Sequence, residues 1–202
     1  LRRCASCHDA TNVHEWLPYK KRHFDSLACE ACHVPELFGP ALQAVDWTLV
    51  GPDGSPRREY RNVDGDPASA DGLITGFRPV MLPRENVGGE QKLAPFNLVS
   101  NWYWTAGEAE EQVSGERLAQ ALYANGRLHG SLAGLFEGSG SGLVLETQEQ
   151  ATAVRRRLEE SGLENVRLAA AVTPYSISHN VGNGEWATRD CRHCHGADSV
   201  FA

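Results

Sequence analysis

The chain has 202 residues, 41% of them apolar, with 20 glycines and 10 prolines, which suits one domain or two small ones of loop-rich architecture. A formal charge of −7 excludes the basic footprint of a nucleic-acid binder. No run approaches the roughly 18 consecutive apolar residues that a membrane-spanning helix needs.

In chain order, the first elements are two copies of one motif, Cys4-Ala5-Ser6-Cys7-His8 and Cys29-Glu30-Ala31-Cys32-His33, joined by a short helix and turns within residues 1–48. Residues 49–140 carry no cysteine. They read as irregular strands and loops punctuated by the turn sequences Gly51-Pro52-Asp53-Gly54, Asn62-Val63-Asp64-Gly65-Asp66-Pro67 and Gly88-Gly89. Phe96-Asn97-Leu98-Val99-Ser100-Asn101-Trp102-Tyr103-Trp104 predicts an aromatic-rich strand, and Gly115 to Tyr123 a short helix with Leu118, Ala121 and Leu122 on one face.

Gly138-Ser139-Gly140-Ser141-Gly142 reads as a flexible linker. Leu143-Val144-Leu145 predicts a buried strand, followed by a helix that the Thr147/Gln150 capping box opens. Ala151, Val154 and Leu158 form its apolar stripe, Arg155, Arg156 and Arg157 a solvated face, and Gly162 its C′ stop. Val166, Leu168, Ala170 and Val172 then alternate as a strand, completing a small β-α-β unit over residues 141–175. The third motif, Cys191-Arg192-His193-Cys194-His195, closes the chain.

The three copies use all six cysteines. C-x-x-C-H is the attachment sequence of c-type haem. The two thiols add across the haem vinyl groups, and the adjacent histidine binds iron from the proximal side. A disulfide framework needs no histidine after each pair, and two intervening residues make a strained bridge. A zinc sandwich would use two pairs and orphan the third. A thioredoxin-like site wants one C-x-x-C in a βαβ context. The pattern therefore predicts three covalently bound haem c groups, on Cys4 and Cys7, Cys29 and Cys32, and Cys191 and Cys194. The expected fold is an α+β, loop-rich multihaem cytochrome c. Residues 1–48 form a dihaem segment, 49–175 a haem-free α+β insertion, and 176–202 a third-haem segment packing back on 1–48. Haem c is attached outside the cytoplasm, so the expected location is periplasmic or extracellular. The chain starts at Leu1 with no signal peptide, as expected of a processed protein or a piece of a longer one.

Eight histidines are available. His8, His33 and His195 are the proximal iron ligands that the motifs imply. His193 lies inside a C-x-x-C loop and reads as a surface residue; His129, far from every motif in sequence, reads as structural. His14, His23 and His179, each in an apolar or aromatic frame near a motif, are the candidate distal ligands. His14 is six residues from His8, about 20 Å at full extension, so wrapping its own haem would use the whole span. It is expected to serve a different haem. His23 meets the same difficulty with the second haem and is expected to serve the first. Met81 could be an axial ligand, but reads as core filling. Lysine is confined to Lys20, Lys21 and Lys92.

His23-Phe24-Asp25-Ser26-Leu27-Ala28-Cys29-Glu30-Ala31-Cys32-His33-Val34-Pro35, the aromatic strand at Trp47, and Ser178-His179-Asn180-Val181 ahead of the final motif resemble segments of octahaem cytochromes of the tetrathionate reductase family. The resemblance covers the two chain ends and implies distal-ligand roles for His23 and His179, with a weaker match at His14. Against that family's eight motifs this chain has three, and it has no counterpart of the lysine-bearing catalytic motif. It resembles a terminal portion or a reduced relative that keeps the electron-transfer haems.

The expected function is electron transfer between redox partners, or neighbouring cytochrome subunits, through three bis-histidine low-spin haems. The acidic surface suits a partner with a positive docking patch, or solubility alone. A haem enzyme reducing a small sulfur or nitrogen oxyanion is the alternative, with Arg2, Arg3, Arg189 and Arg192 as the nearest cations. A subunit of an extracellular cytochrome filament, a homo-oligomer with a haem ligated by a neighbouring chain, is the third reading.

Overall fold

A computed structural model describes residues 4–65, 73–85, 89–136, 143–199 and 201. Arg2, Arg3, the Asp66-Pro67 turn end, Gly88 and the expected 138–142 linker lie outside the described residues. The fold is mixed α+β, with short helices and a mixed sheet whose path runs Arg167–Ser176, Gln91–Ala106, Ala41–Asp46, Arg57–Arg61. The aromatic segment expected as a strand lies inside Gln91–Ala106. That strand pairs in parallel with Ala41–Asp46 (Ala44 opposite Ser100) and antiparallel with Val80–Glu85 (Val80 opposite Phe96). Among the described residues, no helix is long and apolar enough to cross a membrane.

Two compact units divide the chain. The first comprises Leu1–Ala41, Asn62–Leu98 and Pro174–Ala202, and so holds all three cysteine motifs. Residues 62–98, read from the sequence as part of the cysteine-free middle, belong to this unit. Its apolar burial is small and split. Val34, Leu37, Ala41 and Ile177 make one cluster, with Phe77 against it, and Ala28, Ala94 and Phe96 another, with Leu82. Helix Cys29–His33 is anchored from both sides: Ala28 N–H donates to Leu93 O (2.9 Å), and Thr188 N–H donates to Cys32 O (2.8 Å).

The second unit, Leu42–Arg61 and Val99–Thr173, has one larger core built on Trp104, Leu118, Leu122, Leu132, Val154, Leu158 and Val166. Trp104 is 1% exposed, and its indole N–H donates to Thr48 O at 2.9 Å, so the buried polar atom is satisfied. Helix Gly115–Leu122 is capped by Ser114 and buries Leu118, Ala121 and Leu122. Its first residue must be glycine: a Cβ on Gly115 would stand 2.1 Å from Gly54 O, and Gly54 itself turns at φ +79. Helix Gln148–Glu160 starts at the Thr147/Gln150 capping box, buries Val154 and Leu158, and ends before Gly162 at φ +94.

Three details of the expected β-α-β unit are corrected here. Leu143, Val144 and Leu145 form no strand; Leu143 and Leu145 instead pack as partly buried plugs against the core. The flanks of Gln91–Ala106 are already paired, so this run finds packing partners and no ladder. Strand Arg167–Ser176 exists, but its alternating apolar residues face outward, with Leu168 and Val172 44% and 61% exposed. Arg157 is no solvated outer residue: its Nε–H donates to Ala121 O (2.9 Å), satisfying a carbonyl in the last turn of helix Gly115–Leu122.

Candidate haem-binding site

All six cysteines are free thiols, and the first unit brings the three motifs together. Cys4 lies near enough to Cys29, and Cys194 near enough to Cys32, to act on the neighbouring thiol. Burial raises the Cys29 and Cys194 thiols, and burial, followed by the neighbouring Cys194 and Cys29, pushes Cys32 up to about 11. Carbon in place of the thiol proton removes that titration altogether, which is the change a thioether makes.

Each motif is a turn of helix, Cys4–Ser6, Cys29–His33 and Arg192–His195. The helical turn places the cysteines on one side and swings the following histidine beneath them. Asp190 positions the third by accepting from Arg192 N–H (2.9 Å), and the Arg192 guanidinium beside it holds its carboxyl at about 2.

The imidazoles carry the site's geometry. His33 Nδ1 lies 2.7 Å from Gly182 O, His14 Nδ1 2.8 Å from Ala10 O, and His23 Nδ1 3.3 Å from Tyr19 O. A carbonyl oxygen only accepts, so each Nδ1–H donates, and Nε2 is the ring nitrogen turned to another partner. Local sequence sets these contacts. Asp9 caps helix Ala10–Val13 through Thr11 and Asn12 N–H (both 3.2 Å), which fixes the Ala10 carbonyl below His14. Tyr19, left-handed at φ 51, presents its carbonyl to His23 at the head of helix Lys20–Ser26.

His14 Nε2 then faces His33 Nε2 at 3.5 Å, with the rings 86° apart. Two nitrogen lone pairs meeting head-on repel unless a proton or metal ion lies between them. Two metal–imidazole bonds of about 2 Å each would span about 4 Å, close to the gap that exists. His23 and His195 also stand edge to face, ring centroids 6.2 Å apart at 83°. His14, expected to serve a haem other than its own, faces the second motif's histidine. His23, expected to serve the first haem, faces the third motif's histidine. The reason is that His195 belongs to the distant chain end that folds back beside helix Lys20–Ser26, an approach no spacing along residues 1–48 reveals.

The remaining histidines divide differently. His129 caps helix Gly130–Ala133, its ring accepting from Ser131 N–H at 3.4 Å. His193 lines a cavity of about 430 Å³, with Phe38, Met81, Trp186, Arg78 and Cys194. Met81 stands opposite Pro95 in strand Val80–Glu85. His179 is exposed on the loop that Asn180 ties to Phe38 O (3.2 Å). Among the described residues, no ring contact joins His8 or His179 to another imidazole.

The residues present fit haem. In the unit that holds the motifs, Trp16, Tyr19, Phe38 and Trp186 leave 46%, 77%, 54% and 65% of their surface exposed, apolar area that a porphyrin could cover. Arg189 stacks on Trp16 with its guanidinium carbon 5.6 Å from the ring centroid. Among the described residues there is no cluster of three or more His, Cys, Asp or Glu side chains able to hold a bare metal ion; a haem iron asks only for two axial groups. Sequence reading missed Gly182 and Thr188, whose backbone atoms hold His33 and Cys32, because a backbone contact leaves no mark on residue type.

No protein-family model matches this chain, and no curated protein matches it in sequence. Among solved structures it is similar to the octaheme cytochrome c from Shewanella oneidensis, at a TM-score of 0.50 and 16% sequence identity. The match covers 96% of this chain and 48% of that one, so the chain spans about half the length of that cytochrome. At this identity the likeness is one of fold alone, a mixed α+β fold similar to that of a multihaem cytochrome.

Proposed function

We propose that this chain, folded like part of a multihaem cytochrome c, is an exported trihaem c-type cytochrome that passes single electrons between redox partners. The observation that carries the reading is the approach of His14 Nε2 and His33 Nε2 to 3.5 Å, each ring held by an Nδ1–H bond to the carbonyl of Ala10 or Gly182. Cys4 and Cys7, Cys29 and Cys32, and Cys191 and Cys194 hold the three groups, with His8, His33 and His195 below them. His14 closes the second site and His23 the third; His179 is assigned to the first.

Haem c, when bound, supplies a one-electron iron couple. The chain's own contribution is to hold both axial nitrogens in place before an electron arrives, so that little has to move when the charge changes. The nearness of Cys4 to Cys29 and of Cys194 to Cys32 supports adjacent attachment sites. Attachment of haem c outside the cytoplasm supports a periplasmic or extracellular location, and the formal charge of −7 supports a partner with a basic docking face.

The test is to produce the chain in a host that attaches haem c, count haems by mass and pyridine haemochrome, and record EPR of the oxidised protein. Three haems with three low-spin signals are expected. Among the described residues no ring contact joins His8 to another imidazole, and that favours one second reading: an open iron at Cys4 and Cys7 that reduces a small oxyanion. A high-spin signal lost on adding cyanide or nitrite would establish that reading in place of the first.

A further inference from the structure

The second C-x-x-C loop encloses a charge. Glu30 lies between Cys29 and Cys32, its side chain only 14% exposed, and Arg84 reaches it from strand Val80–Glu85 with a side chain 24% exposed. One Arg84 nitrogen, Nη2, donates to both carboxylate oxygens (3.1 and 3.0 Å), and Nη1 donates to Ser176 Oγ (2.9 Å). Elsewhere among the described residues ion pairs such as Lys21–Asp25 and Arg192–Asp190 stand in solvent, where water screens them. This one is withdrawn from water and sits inside the loop whose two sulfurs carry the second haem, where a charge acts at short range and low effective dielectric.

We infer that Arg84 sets the reduction potential of the haem on Cys29 and Cys32 by neutralising Glu30. The inference rests on the haem attachment proposed above. A carboxylate beside the iron favours the oxidised, more positive state; a guanidinium paired with it cancels that preference. The couple is Fe(III) plus one electron to Fe(II), with the electron drawn from an electrode. Removing the cation leaves an unbalanced anion and lowers the potential, while removing the anion leaves an unbalanced cation and raises it. Ser176 orients the guanidinium, so that its second nitrogen points at Glu30 and not at water.

Arg84→Gln, Glu30→Gln and the double variant, each haem-loaded, test this by spectroelectrochemical titration. One of the three midpoint potentials is expected to fall in Arg84→Gln, to rise in Glu30→Gln, and to return close to the wild-type value in the double variant. A structural bridge with no electrostatic role would lower the melting temperature in both single variants and leave every potential in place; that result overturns the inference. So does a double variant whose potential stays as low as in Arg84→Gln. If Arg84→Gln fails to load haem, Glu30→Gln decides: its upward shift supports the inference and an unchanged potential overturns it. A wild-type chain that takes no haem at Cys29 and Cys32 overturns the attachment reading, and this inference with it; a fully loaded chain with unmoved potentials overturns this inference alone.

Discussion

His14 and His33 are held by the same device, a backbone carbonyl on Nδ1, and each can be tested separately. On the proposed ligation, His14→Ala removes the second iron's sixth ligand, so the oxidised EPR spectrum should lose one low-spin signal and gain a high-spin one; His23→Ala should do the same for the third. His129→Ala, which removes only a helix cap, should leave the low-spin spectrum intact. Gly182 is the finer case. A Cβ there would stand 2.9 Å from Trp186 Cβ and from its carbonyl oxygen, so Gly182→Ala must shift the loop that accepts from His33. A weaker Nδ1–H bond makes the imidazole a poorer donor to a cationic iron. One midpoint potential should therefore rise while the haem count stays at three, as read by the same titration and mass measurement.

The elements report on energetics that the site does not need. Helix Gln148–Glu160 depends on Thr147, whose hydroxyl accepts from Gln150 N–H at 3.1 Å while Gln150 returns a bond to the Thr147 backbone. Thr147→Ala should cost about 1 kcal/mol in urea unfolding. Leu158→Ala on the same helix, fully buried against Trp104 and its neighbours, should cost about 2–5 kcal/mol because the cavity it leaves cannot close. Both boundaries of this helix were legible because capping and αL chemistry act within a few residues. The supposed strand at Leu143, Val144 and Leu145 was not legible, since three apolar residues satisfy a core plug as readily as a ladder. Only the occupancy of the neighbouring sheet positions decides between those two uses.

At the scale of the molecule, charge and the thiols make the measurable consequences. A formal charge of −7 predicts faster reduction by a cationic donor than by an anionic one at low salt. The two rates should converge as ionic strength shortens the Debye length; stopped-flow reduction at several salt concentrations checks this. The haem-free chain should lose stability on the alkaline side. Cys29, Cys32 and Cys194 are raised by burial, so their protonated forms are favoured in the fold. That contribution is complete below the unfolded thiol value of about 8.5. It is lost as pH rises towards about 11, where folded Cys32 ionises. Urea midpoints between pH 8 and 11 should fall in the haem-free chain and hold level in the loaded one, whose thioether sulfurs carry no proton.

What the sequence by itself determined about this protein is the chemistry. Three C-x-x-C-H motifs exhaust the cysteines and put a histidine after each pair, the groups that thioether attachment and proximal ligation of haem c would need within one turn of backbone. The tertiary structure alone decided the partners. His23 meets His195 and Arg84 meets Glu30 across long stretches of chain, and Gly182 meets His33 through backbone atoms that carry no residue identity. Local spacing specifies what a covalently constrained motif must contain. Which distant group approaches it depends on how separate segments share one core, and that is a property of the whole fold.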